Sequence, residues 1–143
     1  MTVKINSAEQ TERLGYELAQ RLTELGRRSA YSAMRGEMGV GKTVFTRGFA
    51  SFFGIKGVKS PTYTIVNEYR AADTRIFHFD LYRIEDADDL CSVGYDDYLA
   101  EEGYVIAEWS ERIPEEIPED AIFVTISRVA NDEEARTVEI TDF

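Results

Sequence analysis

The stretch Gly36-Glu37-Met38-Gly39-Val40-Gly41-Lys42-Thr43 constrains this chain more than any other, because it satisfies G-x-x-x-x-G-K-[ST] at every fixed position. Glycines there let consecutive backbone N–H groups curl toward one anion, and a helix starting at the end of the loop adds the positive end of its dipole. Lys42 is then placed for β- and γ-phosphates, and the Thr43 hydroxyl for Mg²⁺. Average residue frequencies would produce the pattern in about one chain in a few hundred of this length. The bland alternative is a glycine-rich turn before an ordinary amphipathic helix, but such a turn has no use for an adjacent lysine-threonine pair.

Such a loop needs a strand before it and a helix after it. Arg28 to Arg35 reads as the strand, although Ser29, Ala30, Ser32 and Ala33 leave it poor in β-branched residues. After Lys42, the apolar residues Val44, Phe45, Phe49, Phe52 and Phe53 recur at helical spacing, and Gly54 stops the run. Upstream, Ser7 and Gln10 make a capping box, followed by a Leu14, Leu18, Leu22, Leu25 stripe that ends at Gly26. This first helix can pack beside a nucleotide and bring Thr11 to its base; spacing alone turns Thr11 toward solvent.

Downstream, Pro61 biases Ser60 to an extended conformation, and Thr62, Tyr63, Thr64, Ile65, Val66 and Tyr69 favour a strand. A hydroxyl-rich Ser-Pro-Thr turn entering a strand suits a switch loop whose hydroxyl or backbone follows a γ-phosphate and metal. The same residues also suit a turn and strand without chemistry. Arg75 to Arg83 is a mostly apolar strand carrying Asp80 near its end, and Tyr104 to Trp109 repeats the arrangement with Glu108. In a parallel α/β sheet ligands gather at the carboxyl ends of strands, so both acids are candidates for the phosphate and metal site. The only histidine, His78, excludes a histidine-based metal cluster and reads as a core or edge residue. Residues Asp86 to Glu102 read as short helical pieces around Gly94, with Tyr95, Tyr98 and Leu99 as their buried stripe. Ile122 to Ile126 and Thr137 to Ile140 read as a terminal hairpin joined by a polar loop, Ala130 to Ala135.

With 143 residues, the chain is expected to be a single nucleotide-binding domain, without room for a large substrate domain. One cysteine, Cys91, excludes an intrachain disulfide. No signal-peptide-like or membrane-spanning apolar run is evident, so a cytoplasmic location is expected. The net charge of −11 is uneven: residues 1–60 carry +5 and residues 61–143 carry −16. An acidic surface repels a phosphate backbone, so extensive direct nucleic-acid binding is not expected. The acidic half suits either a basic protein partner or simple solubility.

Taken together, GEMGVGKT at 36–43, SPTYTIVNEY at 60–69, HFDLYR at 78–83, VGYDDYL at 93–99 and IAEWSERIP at 106–114 resemble the TsaE (YjeE) family. These are small bacterial P-loop ATPases of tRNA threonylcarbamoyladenosine biosynthesis, and the likeness spans nearly the whole chain. It implies a P-loop NTPase-like three-layer α/β fold with a mixed, mainly parallel sheet and a C-terminal β-hairpin. It implies ATP and Mg²⁺ as cofactors, with Glu37, Met38, Gly39, Val40, Gly41, Lys42 and Thr43 around the nucleotide. Thr43 and Glu108 would contact Mg²⁺, Asp80 would be needed for hydrolysis with Lys42, and Thr62 would belong to the switch-like loop. Trp109 would lie near the nucleotide, while Thr11 and Arg136 would approach the base or its surroundings. TsaB and TsaD are the implied partners, with ATP hydrolysis supporting their turnover. Glu37-Met38 stands where the family usually has Asp-Leu, and Asp97 where it often has Glu. Two other readings use the same loop: a small nucleoside or metabolite kinase, and a nucleotide-gated binding module without appreciable hydrolysis.

Overall fold

The computed structural model describes residues 1–61 and 65–141; Thr62, expected in the switch-like loop, lies outside them. Among the described residues, seven strands form one mixed sheet in the order β1-β7-β6-β2-β5-β4-β3. In chain order they are β1 (Thr2–Ile5), β2 (Ala30–Arg35), β3 (Val66–Ala71), β4 (Thr74–Asp80), β5 (Tyr104–Glu108), β6 (Ile122–Val129) and β7 (Asp132–Ile140). The four central strands β6, β2, β5 and β4 are parallel to one another, and antiparallel strands flank them on both sides. The sheet is thus mixed as expected, with its parallel part confined to the centre.

Helices α1 (Ala8–Glu24) and α2 (Lys42–Phe52) cover one face, and α3 (Ala87–Ser92) and α4 (Tyr95–Ala100) the other. The first core layer gathers Leu14, Leu18, Leu22, Phe45, Phe49 and the inward residues of the central strands; the second gathers Tyr31, Phe77, Phe79, Leu90 and Tyr95. Strand β2 tolerates its small residues because it sits at the centre of the sheet, where aromatic side chains from both layers supply the missing bulk. Tyr95 is anchored further: its hydroxyl hydrogen-bonds with that of Tyr31 at 2.7 Å and donates to the Glu116 carbonyl. Burial pushes its phenol up to about 12. Among the described residues no helix is long and apolar enough to cross a membrane.

Helix α1 starts as its sequence dictates, with the Ser7 hydroxyl accepting from the Gln10 N–H. The Gln10 side chain reaches back one residue further than a standard capping box, to the N–H of Asn6. Leu25 falls outside the expected stripe and is 45% exposed, because the helix has ended and Gly26 turns the chain away. Helices α1 and α2 cross at backbone contact. A Cβ on Gly48 would lie 1.8 Å from the Glu12 carbonyl oxygen, and one on Gly15 would lie 2.0 Å from that of Phe45. This close crossing carries Thr11 inward. It is 3% exposed, lies against Gly41 and hydrogen-bonds to the Ser7 carbonyl, in contrast to the solvent-facing position its spacing suggests.

The terminal hairpin is longer than its composition implies. The polar run 130–135 is mostly strand, and the turn reduces to Ala130 and Asn131, with Asn131 at φ 66°. Glu133 and Glu134 are polar because their stretch of β7 faces solvent, not because it is a loop. Strand β1 has only four residues, too few for a periodic signal. It pairs with β7 at the sheet's edge.

Candidate functional site

The loop from Gly36 to Gly41 joins the carboxyl end of β2 to the first turn of α2. Gly39 and Gly41 take φ of 79° and 115°, left-handed values that side-chain-bearing residues rarely adopt, and Gly41 is the N-cap of α2. The helix N-terminus is therefore presented at the centre of the sheet's carboxyl edge, where its free N–H groups and dipole attract an anion. Val40 is buried under the loop, while Glu37, Met38 and Gly39 are exposed, Met38 at 68%.

Lys42 is only 5% exposed. Its ammonium donates to the Gly36 carbonyl and lies 3.8 Å from the centroid of the Trp109 ring. Burial holds this amine below the ordinary lysine range, against the opposing pull of Glu108, Glu111 and Asp80. Thr43 follows with its Oγ1 2.7 Å from Ser60 Oγ and 3.4 Å from Glu108 Oε2. Val44, next along α2, is partly buried.

The two strand-end acids come together through register. Parallel strands β4 and β5 pair Asp80 directly with Glu108, so both carboxylates leave the same sheet face at its carboxyl edge. Their environments differ. Glu108 is buried, with Oε2 bonded to His78 Nε2 and facing Thr43. Asp80 is partly exposed, and its Oδ1 accepts from the Tyr82 N–H. Desolvation raises the Asp80 carboxyl above the ordinary aspartate range; the Tyr82 hydrogen bond opposes this, and the Glu108 charge reinforces it.

Just past β5 the chain turns at Trp109, whose φ of 60° is unusual for a bulky side chain. The Ser110 hydroxyl, fully buried, fixes this turn to the end of β2 by donating to the Met34 carbonyl. Tyr82 packs edge-on against Trp109 at 5.0 Å.

The hairpin supports the loop from the other side. Arg128 and Arg136 are opposite one another on β6 and β7, an unfavourable like-charge pair unless each finds its own acceptor. Arg128 donates to the Met38 carbonyl and lies 3.6 Å from Glu37; Arg136 donates to Val40, Glu133 and Ala135 carbonyls. Arg136, expected near a base, is thus occupied with the backbone of the loop and hairpin.

The structure therefore brings together Thr11, the 36–43 loop, Asp80, Glu108, Trp109 and Arg136. Sequence reasoning missed the contacts of His78, Ser60 and Arg128. His78 was readable only as a buried polar residue two before Asp80, and Ser60 as the first hydroxyl of the Ser-Pro-Thr turn.

Among the described residues, no group of three or more His, Cys, Asp or Glu side chains converges on a metal-sized point. The donors that do meet are hard oxygens, the Thr43 hydroxyl and one glutamate. That set fits Mg²⁺, which is held by one or two carboxylates, hydroxyl, phosphate and water oxygens instead of an all-protein cage.

Comparison with known proteins now decides the family. The model of the TsaE family, threonylcarbamoyl adenosine biosynthesis protein TsaE, matches residues 5–138. The chain belongs to the TsaE family. Its likeness to the tRNA threonylcarbamoyladenosine biosynthesis protein TsaE of Haemophilus influenzae is 39% identity over 130 residues, 90% of this chain and 80% of that protein. The TsaE of Bacillus subtilis is 39% identical over 101 residues, 70% of this chain and 63% of the relative. The crystal structure of Bacillus subtilis YdiB superposes with a TM-score of 0.78 at 26% identity, covering 98% of this chain and 83% of that one. The mixed sheet and terminal hairpin are thus the architecture of a TsaE-family protein, a component of threonylcarbamoyladenosine biosynthesis.

Proposed function

We propose that this TsaE-family chain binds and hydrolyses Mg-ATP, and that hydrolysis supports turnover of a TsaB–TsaD complex in tRNA threonylcarbamoyladenosine modification. The observation that carries the reading is the convergence of Lys42, Thr43 and Glu108 at the N-terminus of α2, with Asp80 on the adjacent strand. In this reading the loop N–H groups and Lys42 bind the phosphates, Lys42 leaving the Gly36 carbonyl and the indole to do so. Thr43 and Glu108 hold the metal, which when bound neutralises developing phosphate charge. Asp80, paired in register with Glu108 on the adjacent strand, orients the attacking water or accepts its proton. The −16 balance of residues 61–143 supports a protein partner with a basic surface.

The test is ADP and phosphate release from Mg-ATP, with and without purified TsaB and TsaD. Hydrolysis that needs no small-molecule acceptor and rises when the partners are added is expected. Phosphate transfer to an added nucleoside or metabolite would replace this reading with a kinase, and tight binding without turnover under any condition would replace it with a nucleotide-gated module.

A further inference from the structure

His78 is the chain's only histidine, and its side chain is wholly buried. Strand β4 sets it on the same sheet face as Asp80, one pleat deeper, and the β4–β5 register places Glu108 diagonally beside it. From there its Nε2 hydrogen-bonds to Glu108 Oε2, the oxygen that also faces the Thr43 hydroxyl at 3.4 Å. An ionised carboxylate only accepts, so Nε2 carries the proton and donates. The other ring nitrogen, Nδ1, is buried and has no hydrogen-bond partner among the described residues. Among the described residues, the imidazole thus hydrogen-bonds at one point, and that point is Glu108. A ring kept for packing alone would do better as an apolar residue, because burying a nitrogen without a partner is unfavourable.

The geometry points to His78 as a positioning residue for Glu108. It holds the carboxylate in the rotamer that keeps Oε2 against the Thr43 hydroxyl, the pair assigned to the metal. That assignment rests on the ATPase reading above. Glutamate has three side-chain torsions, and the like charge of Asp80 on the adjacent strand favours other rotamers once the histidine donor is gone. Partners of this outer kind commonly change metal affinity by about 10–100-fold.

Trp109, next to Glu108 in the chain, provides a binding readout independent of turnover. Affinity for ATP is titrated by its fluorescence in magnesium and in EDTA, for the wild type, His78→Leu and His78→Gln. Leucine removes the donor and keeps an apolar filling; glutamine returns an N–H near the position of Nε2. The expected result is a loss of about 10-fold or more in Mg-ATP affinity for His78→Leu, little change in EDTA, and recovery of most of the loss in His78→Gln. Far-ultraviolet circular dichroism and thermal melting establish folding, and His78→Met replaces the leucine variant if that one does not fold. Wild-type Mg-ATP affinity in a folded variant without the donor, or equal losses in the leucine and glutamine variants, would overturn the role. A wild type indifferent to magnesium would sink the ATPase reading and this inference with it. A magnesium-sensitive wild type with unresponsive variants would remove His78 alone.

Discussion

The Lys42 ammonium rests 3.8 Å from the centroid of the Trp109 indole, on a residue whose backbone is itself in the left-handed conformation. A cation over an aromatic face is attracted by about 0.5–2 kcal/mol, depending on its desolvation. Phosphate offers the same ammonium a stronger partner, so Lys42 and Trp109 form a contact that nucleotide should break.

Trp109 emission should therefore change on addition of ATP or ADP, and Lys42→Ala should alter emission even without nucleotide. In that variant nucleotide affinity should fall about 10–100-fold, the equivalent of one charged hydrogen bond of roughly 1.5–3 kcal/mol. The variant should still fold, with a melting temperature a few degrees lower, because the contacts of the buried ammonium with the Gly36 carbonyl and the indole are lost. Identical emission from wild type and Lys42→Ala in the absence of nucleotide would show that the lysine does not rest on the indole in solution.

Asp80 and Glu108 should fail differently, although they are paired in register. Glu108→Ala removes the buried oxygen facing Thr43 and should weaken nucleotide binding in magnesium more than in EDTA. Asp80→Ala should leave binding largely intact and slow hydrolysis by about 10²–10⁴-fold, the usual range for loss of a general base. Fluorescence titration and phosphate release separate the two effects. Equal loss of affinity in both variants would leave the acids without distinct roles.

Asp80 also makes a prediction about stability. Its folded pKa is raised above the ordinary 3.8, chiefly by desolvation. The folded state therefore holds the proton more tightly than the unfolded chain does. This contribution is complete below about pH 3.8 and is lost as pH rises through the folded pKa. Above that point the ionised carboxylate is a fixed cost, reduced by the solvent that reaches this partly exposed group. Asp80→Asn should accordingly make the nucleotide-free protein more stable at neutral pH, with the gain vanishing below pH 3.8. Urea midpoints measured across that range test the sign, and a gain that grows on acidification would refute it.

Gly48→Ala tests the crossing of α1 and α2. In an exposed helix the change would stabilise by about 0.5–1 kcal/mol. Here the new methyl would meet the Glu12 carbonyl oxygen at 1.8 Å, and backbone cannot step aside as a side chain can. A loss of about 1–3 kcal/mol or more is expected, lowering the melting temperature by roughly 2–4 °C for each kcal/mol. Because the crossing also carries Thr11 to Gly41, nucleotide affinity should fall in the same variant. A more stable Gly48→Ala protein would show that the helices do not meet at this point.

The phosphate loop, its following helix, the α1 cap and the acids near two strand ends were legible because each is written in contiguous residues. A glycine pattern, a 3.6-residue period or an apolar run ending in a carboxylate needs only near neighbours to be recognised. Periodicity failed where the element was too short, as in β1, or where one arm of a hairpin faces solvent and reads as a loop, as in β7. The contacts that complete the site belong to another class. His78 meets Glu108 only because β4 and β5 lie parallel in one register, and Lys42 meets Trp109 only because β5 ends in a left-handed turn beside β2. Thr11 is drawn inward by a helix crossing that two glycines permit. Sequence by itself determined which chemistry the chain carries, since residue type and local spacing are covalent facts. Tertiary structure decided which groups share it, because register and close packing are set by the whole core and by no single stretch of it.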